Sequence, residues 1–238
     1  FIGIGLDLNT TNFHLRWSMA DKVKQWAEKF DQQLDPQVLE DWHKEIIDQV
    51  SPPLSANRTM GALGGIVASR IARAFNIGGP SFTISSEEVS GMNALELAVR
   101  SLQKGDLNLA IAGAVDLCGD IRSTYGQDKI KPYSTNPSQP GSIIGEGAVA
   151  FVLKRYKDAK KDGDQIYALI KGVAGSIGGK ADDTVTLAST YQENTRLACD
   201  DAKISFDDIE FIETHGSGNE DEDQNEYEAL EGILNKHH

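Results

Sequence analysis

Two apolar runs without the alternation of a half-exposed strand set the strongest limit on this fold: "LNLAIAGAVDL" at 107–117 and "GEGAVAFVLK" at 145–154. Runs of that length with small and β-branched residues read as strands buried on both faces. Between and around them, apolar residues recur at helical spacing. Alternation of such strands with helices points to an α/β layered fold with a largely buried sheet. "FIGIGL" at the start, "QIYALIKGVAGS" at 165–176 and "DIEFIETHGSGN" at 208–219 are further strand candidates.

The helical signals follow in order. Met19, Val23, Trp26, Phe30 and Leu34 share one spacing, after "DLNTTNFHLRW", which reads as a loop. Leu39, Trp42, Ile46 and Val50 share another after Pro36, a residue favoured at a first helical position. A single Gly/Ala-rich helix is expected through Met60, Leu63, Val67, Ile71 and Phe75, stopped by Gly78, Gly79 and Pro80. Val89, Met92, Leu95, Val99 and Leu102 mark the next helix, which Gly105 ends. Residues 119–140 form a polar stretch longer than most connectors and therefore a candidate functional loop. A helix is expected around Thr190–Ala202, and "NEDEDQNE" reads as a solvated acidic run before a last helical segment, Tyr227–Leu234.

Charge and cysteine usage narrow the function. The formal net charge of −13 removes the general electrostatic footprint of a nucleic-acid or anionic-membrane binder. No apolar window approaches the length needed to span a bilayer. Cys118 and Cys199 lack metal-ligand or disulfide-framework spacing, so no metal site is expected and a reducing, cytoplasmic setting fits. Phe1 opens inside a strand candidate, so any targeting signal is expected outside this stretch.

Three features carry candidate chemistry. In "GGPSFTISSEEVSGMNALELAVRSL", 78–102, a short strand turns sharply into a helix, and Glu87 and Glu88 stand at the corner. A helix N-terminus stabilises anionic character there, which suits a nucleophile and equally suits acids that complement the helix dipole. In "ETHGSGN", 213–219, His215 precedes glycines that leave a substrate room to reach the imidazole, or that simply make a turn. Gly145 and Gly147 precede a strand, whereas phosphate-binding loops need glycines between strand and helix. His14 and His43 read as loop and helix-surface residues.

In that order, "GGPSFTISSEEVSG", "KPYSTNPSQPGSIIGEGAVAFVLKR" and "IETHGSGN", with "NRTMGALGGIVASRIAR" ahead of them, resemble the β-ketoacyl synthases of the thiolase fold. The wording is similar to the ketosynthase and chain-length-factor domains of polyunsaturated fatty acid synthases. The resemblance implies one partial ketosynthase-like domain over 1–238, with a thiolase-like layered fold and a buried mixed sheet. The family's opening strands, its KSNIGH-like second histidine motif and most of its second half have no counterpart here.

Residue by residue, the resemblance implies that Glu88 occupies the place of the acyl-accepting cysteine, that His215 is the first catalytic histidine, and that Ser217 and Asn219 fall where two threonines hydrogen-bond a pantetheine arm. A carboxylate cannot hold the thioester that condensation requires. The resemblance therefore implies a chain-length-factor-type subunit, with no bound cofactor, met by the phosphopantetheine arm of acyl carrier protein. Its partners would be a ketosynthase-like subunit, in a homo- or heterodimer through "SFTIS", and the acidic carrier protein, docked on basic residues such as Lys129 and Lys131. Two alternatives stay open: a malonyl decarboxylase or residual acyltransferase using His215, and a non-catalytic scaffold.

Overall fold

The computed structural model describes residues 1–4, 9–30, 33–50, 53, 55–61, 63–117, 121–130, 132–134, 141, 145–180, 183 and 185–235. Its centre is a four-stranded mixed sheet made of β1 (Ile2–Ile4), β2 (Thr83–Ile84), β3 (Leu109–Asp116) and β4 (Gly147–Lys154), in the order β2-β1-β3-β4. β1 runs parallel to both β2 and β3, pairing Ile2 with Thr83 on one side and Gly113 on the other. β4 runs antiparallel to β3, from Leu109–Lys154 to Asp116–Gly147.

The helices are α1 (Asn9–Lys29), α2 (Pro36–Val50), α3 (Ala56–Gly61), α4 (Ile66–Ala74), α5 (Ser90–Lys104), α6 (Ile121–Ile130), α7 (Tyr156–Asp162), α8 (Ala188–Ala202) and α9 (Glu220–Leu234). α5 covers β3 with its small residues. Ala98 and Leu102 meet Ala110 and Ala112 in a buried cluster, with Leu95, Leu107 and Leu153 packed around it. Alanine against alanine lets helix and strand approach closely, and each buried methylene adds about 0.8 kcal/mol. Gly105 ends α5 in the left-handed region, φ 84°, while the Asp106 N–H closes back on the Ser101 carbonyl.

α1 and α2 form an antiparallel hairpin, tied by Arg16 to Asp48. Met19, Val23 and Ala27 are buried, and the Trp26 and Trp42 rings lie 6.4 Å apart. α2 starts as its Pro36 requires, with the Asp35 carboxylate accepting the Gln37 N–H.

Several expectations change. The stretch read as a loop before Met19 is helical from Asn9 onward. The single Gly/Ala-rich helix is two, α3 and α4, because the chain turns at Gly64–Gly65 and Thr83 Oγ1 captures the Gly64 carbonyl at 2.9 Å. Glycine is a poor helix former, and the Gly64 carbonyl, which also accepts the Val67 N–H at 3.1 Å, is tied to β2 where α4 begins. Met60, Leu63 and Phe75, expected on one apolar face of that helix, are exposed. The long polar stretch contains α6. β4 is an edge strand rather than a buried one, with Val152 71% exposed.

Neither 165–176 nor 208–219 forms a strand. At Val173, His215 and Gly216, side chains take backbone groups that a ladder could use. The Val173 N–H donates to Asp201, its carbonyl accepts from Arg100, and the His215 and Gly216 N–H groups donate to Glu226. The acidic run is the first part of α9, not a solvated loop, and Glu222 within it is buried. Cys118 and Lys131 lie outside the described residues.

Candidate functional site

The corner between β2 and α5 is built by three neighbours. β1 passes so close that a Cβ on Gly3 would lie 2.5 Å from the Ser90 carbonyl carbon, so only glycine lets β1 lie against the first turn of α5. Glu87 adopts φ 52°, in the left-handed region that favours glycine. Ser90, 4% exposed, stitches the turn: its hydroxyl donates to the Glu87 carbonyl at 2.6 Å and accepts from the Ser86 N–H at 2.8 Å.

Glu88 stands on that corner, immediately before the N-cap residue Val89, which supplies no side-chain cap. It lines a cavity of about 480 Å³ together with Gly3, Glu87, Ser90 and Gly91 from the corner, Ala114, Val115 and Asp116 from the end of β3, and residues 145–149 leading into β4. Glu87, Glu88, Asp116 and Glu146 give its wall four carboxylates, and among the described residues no cysteine lines it. Cys199 lies elsewhere, half-buried on α8; burial first, then the neighbouring Asp200, push its thiol above the usual range, so it is held as a thiol.

His215, Ser217 and Asn219 form a second centre, a loop folded onto α9. His215 is exposed and does not line the Glu88 cavity. Gly216 and Gly218 take positive φ, 59° and 77°, turning successive N–H groups toward the helix. Glu226 accepts from the His215 N–H at 2.8 Å and the Gly216 N–H at 3.1 Å. Asp223 accepts from the Ser217 hydroxyl at 3.0 Å and the Gly218 N–H at 3.1 Å.

Asn219 is the N-cap of α9, its side-chain oxygen accepting from the Asp221 and Glu222 N–H groups. The polar atoms of Ser217 and Asn219 thus serve the loop's own fold.

Sequence reasoning missed Ser90, Asp223 and Glu226. Ser90 carries a readable signal, a small hydroxyl at the first helical position behind a tight corner. Asp223 and Glu226 are three apart on one helix face, which becomes informative only once α9 is known to start at Glu220.

A family model described as "Beta-ketoacyl synthase, N-terminal domain" matches residues 37–159, and one described as "Beta-ketoacyl synthase, C-terminal domain" matches 167–238. A polyunsaturated fatty acid synthase polypeptide of Thraustochytrium sp. is 33% identical over 184 residues, covering 74% of this chain and 6% of that protein. Probable polyketide synthase 17 of Dictyostelium discoideum is 31% identical over 190 residues, 76% of this chain and 7% of that one. The chain thus spans a small fraction of these relatives' length. Among solved structures, the PfaC keto synthase-chain length factor superposes with a TM-score of 0.79 at 27% identity, over 98% of this chain and 25% of that chain. A β-ketoacyl synthase from Burkholderia phymatum superposes with a TM-score of 0.70 at 25% identity, over 80% of this chain and 49% of that chain.

Proposed function

The chain belongs to the β-ketoacyl synthase family, with the thiolase-like fold of its solved relatives, and we propose that it acts as a chain-length-factor-type domain of a polyunsaturated fatty acid or polyketide synthase. The observation that carries this reading is Glu88 on the corner between β2 and α5, lining a cavity with no cysteine among the described residues of its wall. An acyl-accepting corner needs an exposed nucleophile at a helix start, with backbone N–H groups nearby. The corner, the helix start and the cavity are all there. The nucleophile is a carboxylate, whose acyl adduct would be an anhydride that water destroys rather than a thioester that can be held.

A domain so built contributes shape rather than bond formation. It lines the path of an acyl chain while an active β-ketoacyl synthase partner condenses, and the phosphopantetheine arm of an acyl carrier protein brings the chain. The partner, in a homo- or heterodimer, would pair along β2, the edge strand next to the corner. No condensation step is assigned to Glu88 or His215.

The test is Glu88→Cys, treated with cerulenin, a thiol-directed ketosynthase inhibitor. Labelling of residue 88 by mass spectrometry, absent from the Glu88 protein, is the expected result. If position 88 stays unlabelled while Cys118 or Cys199 reacts, the corner is not an acyl site and the reading fails.

A further inference from the structure

The two matched portions of the chain meet at a polar junction that the functional reading leaves unused. Arg100 lies on α5, ten residues beyond the corner serine, within the N-terminal-domain match. Asp201 lies at the end of α8 and Val173 on the run before it, both within the C-terminal-domain match. Arg100 Nη1 donates to Asp201 Oδ1 at 2.9 Å, and Arg100 Nη2 donates to the Val173 carbonyl at 2.8 Å. Asp201 Oδ2 accepts from the Val173 N–H at 2.9 Å, closing a ring of three groups.

The ring is held from both sides. Glu96 stands one helical turn back, 3.7 Å from Arg100 Nε. Val173 is 6% exposed, and a Cβ on the neighbouring Gly172 would lie 2.5 Å from the Ala198 carbonyl, so α8 and the 173 run are pressed together behind the clamp. A planar guanidinium with two parallel donors fixes orientation as well as distance, which a point charge does not.

Each arm leaving this junction leads to one of the two candidate centres. Backwards along α5 lies Ser90, about 15 Å away at 1.5 Å per residue, and just beyond it Glu88. Forwards from Asp201 the chain turns at Lys203, which takes φ 57°, buries Phe206 and runs out to His215.

We propose that Arg100 is a positioning residue: with Asp201 and the Val173 backbone it sets where the histidine loop stands relative to the Glu88 corner. A rotation of about 10° at the clamp carries a point about 15 Å away through about 2.6 Å. The relevance to an acyl path rests on the functional reading above. The geometry does not.

The test is a distance measurement in the full chain that needs neither carrier protein nor activity. Spin labels are placed on Glu88→Cys and His215→Cys with Cys118 and Cys199 replaced by serine, and the distance distribution is recorded by pulsed electron resonance. With Arg100 intact a single narrow distribution is expected. Arg100→Gln and Asp201→Asn each broaden it or move its centre by about 2 Å or more, as the lever arm requires. Arg100→Lys keeps the charge, loses the fork, and falls between, which retains a readout if the other two variants fold poorly. Distributions that coincide in all variants while their melting temperatures fall would make the clamp a stabilising contact only and overturn the proposal. A shifted distribution in a protein whose Glu88→Cys form is not labelled by cerulenin leaves the positioning role standing and removes the acyl-site reading.

Discussion

Replacing Ser90 by alanine tests what holds the corner. The hydroxyl makes two hydrogen bonds, to the Glu87 carbonyl and from the Ser86 N–H, in a residue 4% exposed. Each is worth about 0.5–1.5 kcal/mol net, and leaving a buried donor unsatisfied costs about 1–3 kcal/mol. Alanine is the better helix former by about 0.5 kcal/mol, which works in the opposite direction. The expected loss is therefore about 1.5–2.5 kcal/mol. Urea unfolding measures it: the midpoint falls while the slope m stays that of the parent chain, since little changes in the area exposed on unfolding. Hydrogen exchange adds a local reading, because the Ser86 amide loses its acceptor and exchanges faster, while amides in the middle of α5 slow or quicken only with global stability. A midpoint shift equivalent to less than about 0.5 kcal/mol, with Ser86 still protected, would refute the reasoning, since a hydroxyl that closes the turn cannot be removed for so little.

Two further perturbations address strain and pH. Glu87→Gly relieves a left-handed non-glycine residue, worth about 1–2 kcal/mol, against a glycine entropy cost of about 0.5–1 kcal/mol; the expected result is a chain more stable by about 0.5–1 kcal/mol in the same urea assay. The hydrogen bond from Arg100, the Val173 N–H and the guanidinium charge hold the Asp201 carboxyl below the usual carboxylate range, burial opposing them. A depressed folded pKa gives stability that is present above the unfolded value, about 3.9, and is lost as pH falls through the lower folded value. Acid titration of the parent chain should therefore show a stability loss below pH about 4 that Asp201→Asn removes, read as a flatter acid limb of the melting temperature against pH.

The parts of the fold legible in the sequence are those decided locally. α5 announces itself by apolar spacing and a terminal glycine, α2 by apolar spacing after Pro36, and β3 by a near-continuous apolar run; all three form where the sequence puts them. What could not be read depends on which groups satisfy which backbone. The run 165–176 has strand composition, yet the Val173 N–H and carbonyl are taken by Asp201 and Arg100, residues 28 and 73 positions away. The same holds for 208–219, where Glu226, 11 positions on, takes the His215 amide. β4 has the composition of a buried strand, but the order of the sheet puts it at the edge. At the site, the position of Glu88 was readable because the corner is local. The role of Asn219 as a helix cap was not, because it depends on α9 starting seven residues before the first apolar residue of its expected segment, at Glu220 rather than Tyr227.

Residues beside Glu88 build the corner on which it stands. Three things shape it: the absence of a side chain on Gly3, the Ser90 hydroxyl, and the left-handed backbone at Glu87. None of them uses the side chain at 88, which is exposed and faces a cavity already lined by three other carboxylates. Anionic character at a helix start is favoured by the unpaired N–H groups, so glutamate there meets no electrostatic penalty from α5. The helix start thus favours a carboxylate at the corner, where its chemistry differs completely from that of a cysteine. On the proposed reading, exchange of that one residue would remove acyl transfer and leave these three supports of the corner in place. That is the physical argument behind the shaping role proposed above.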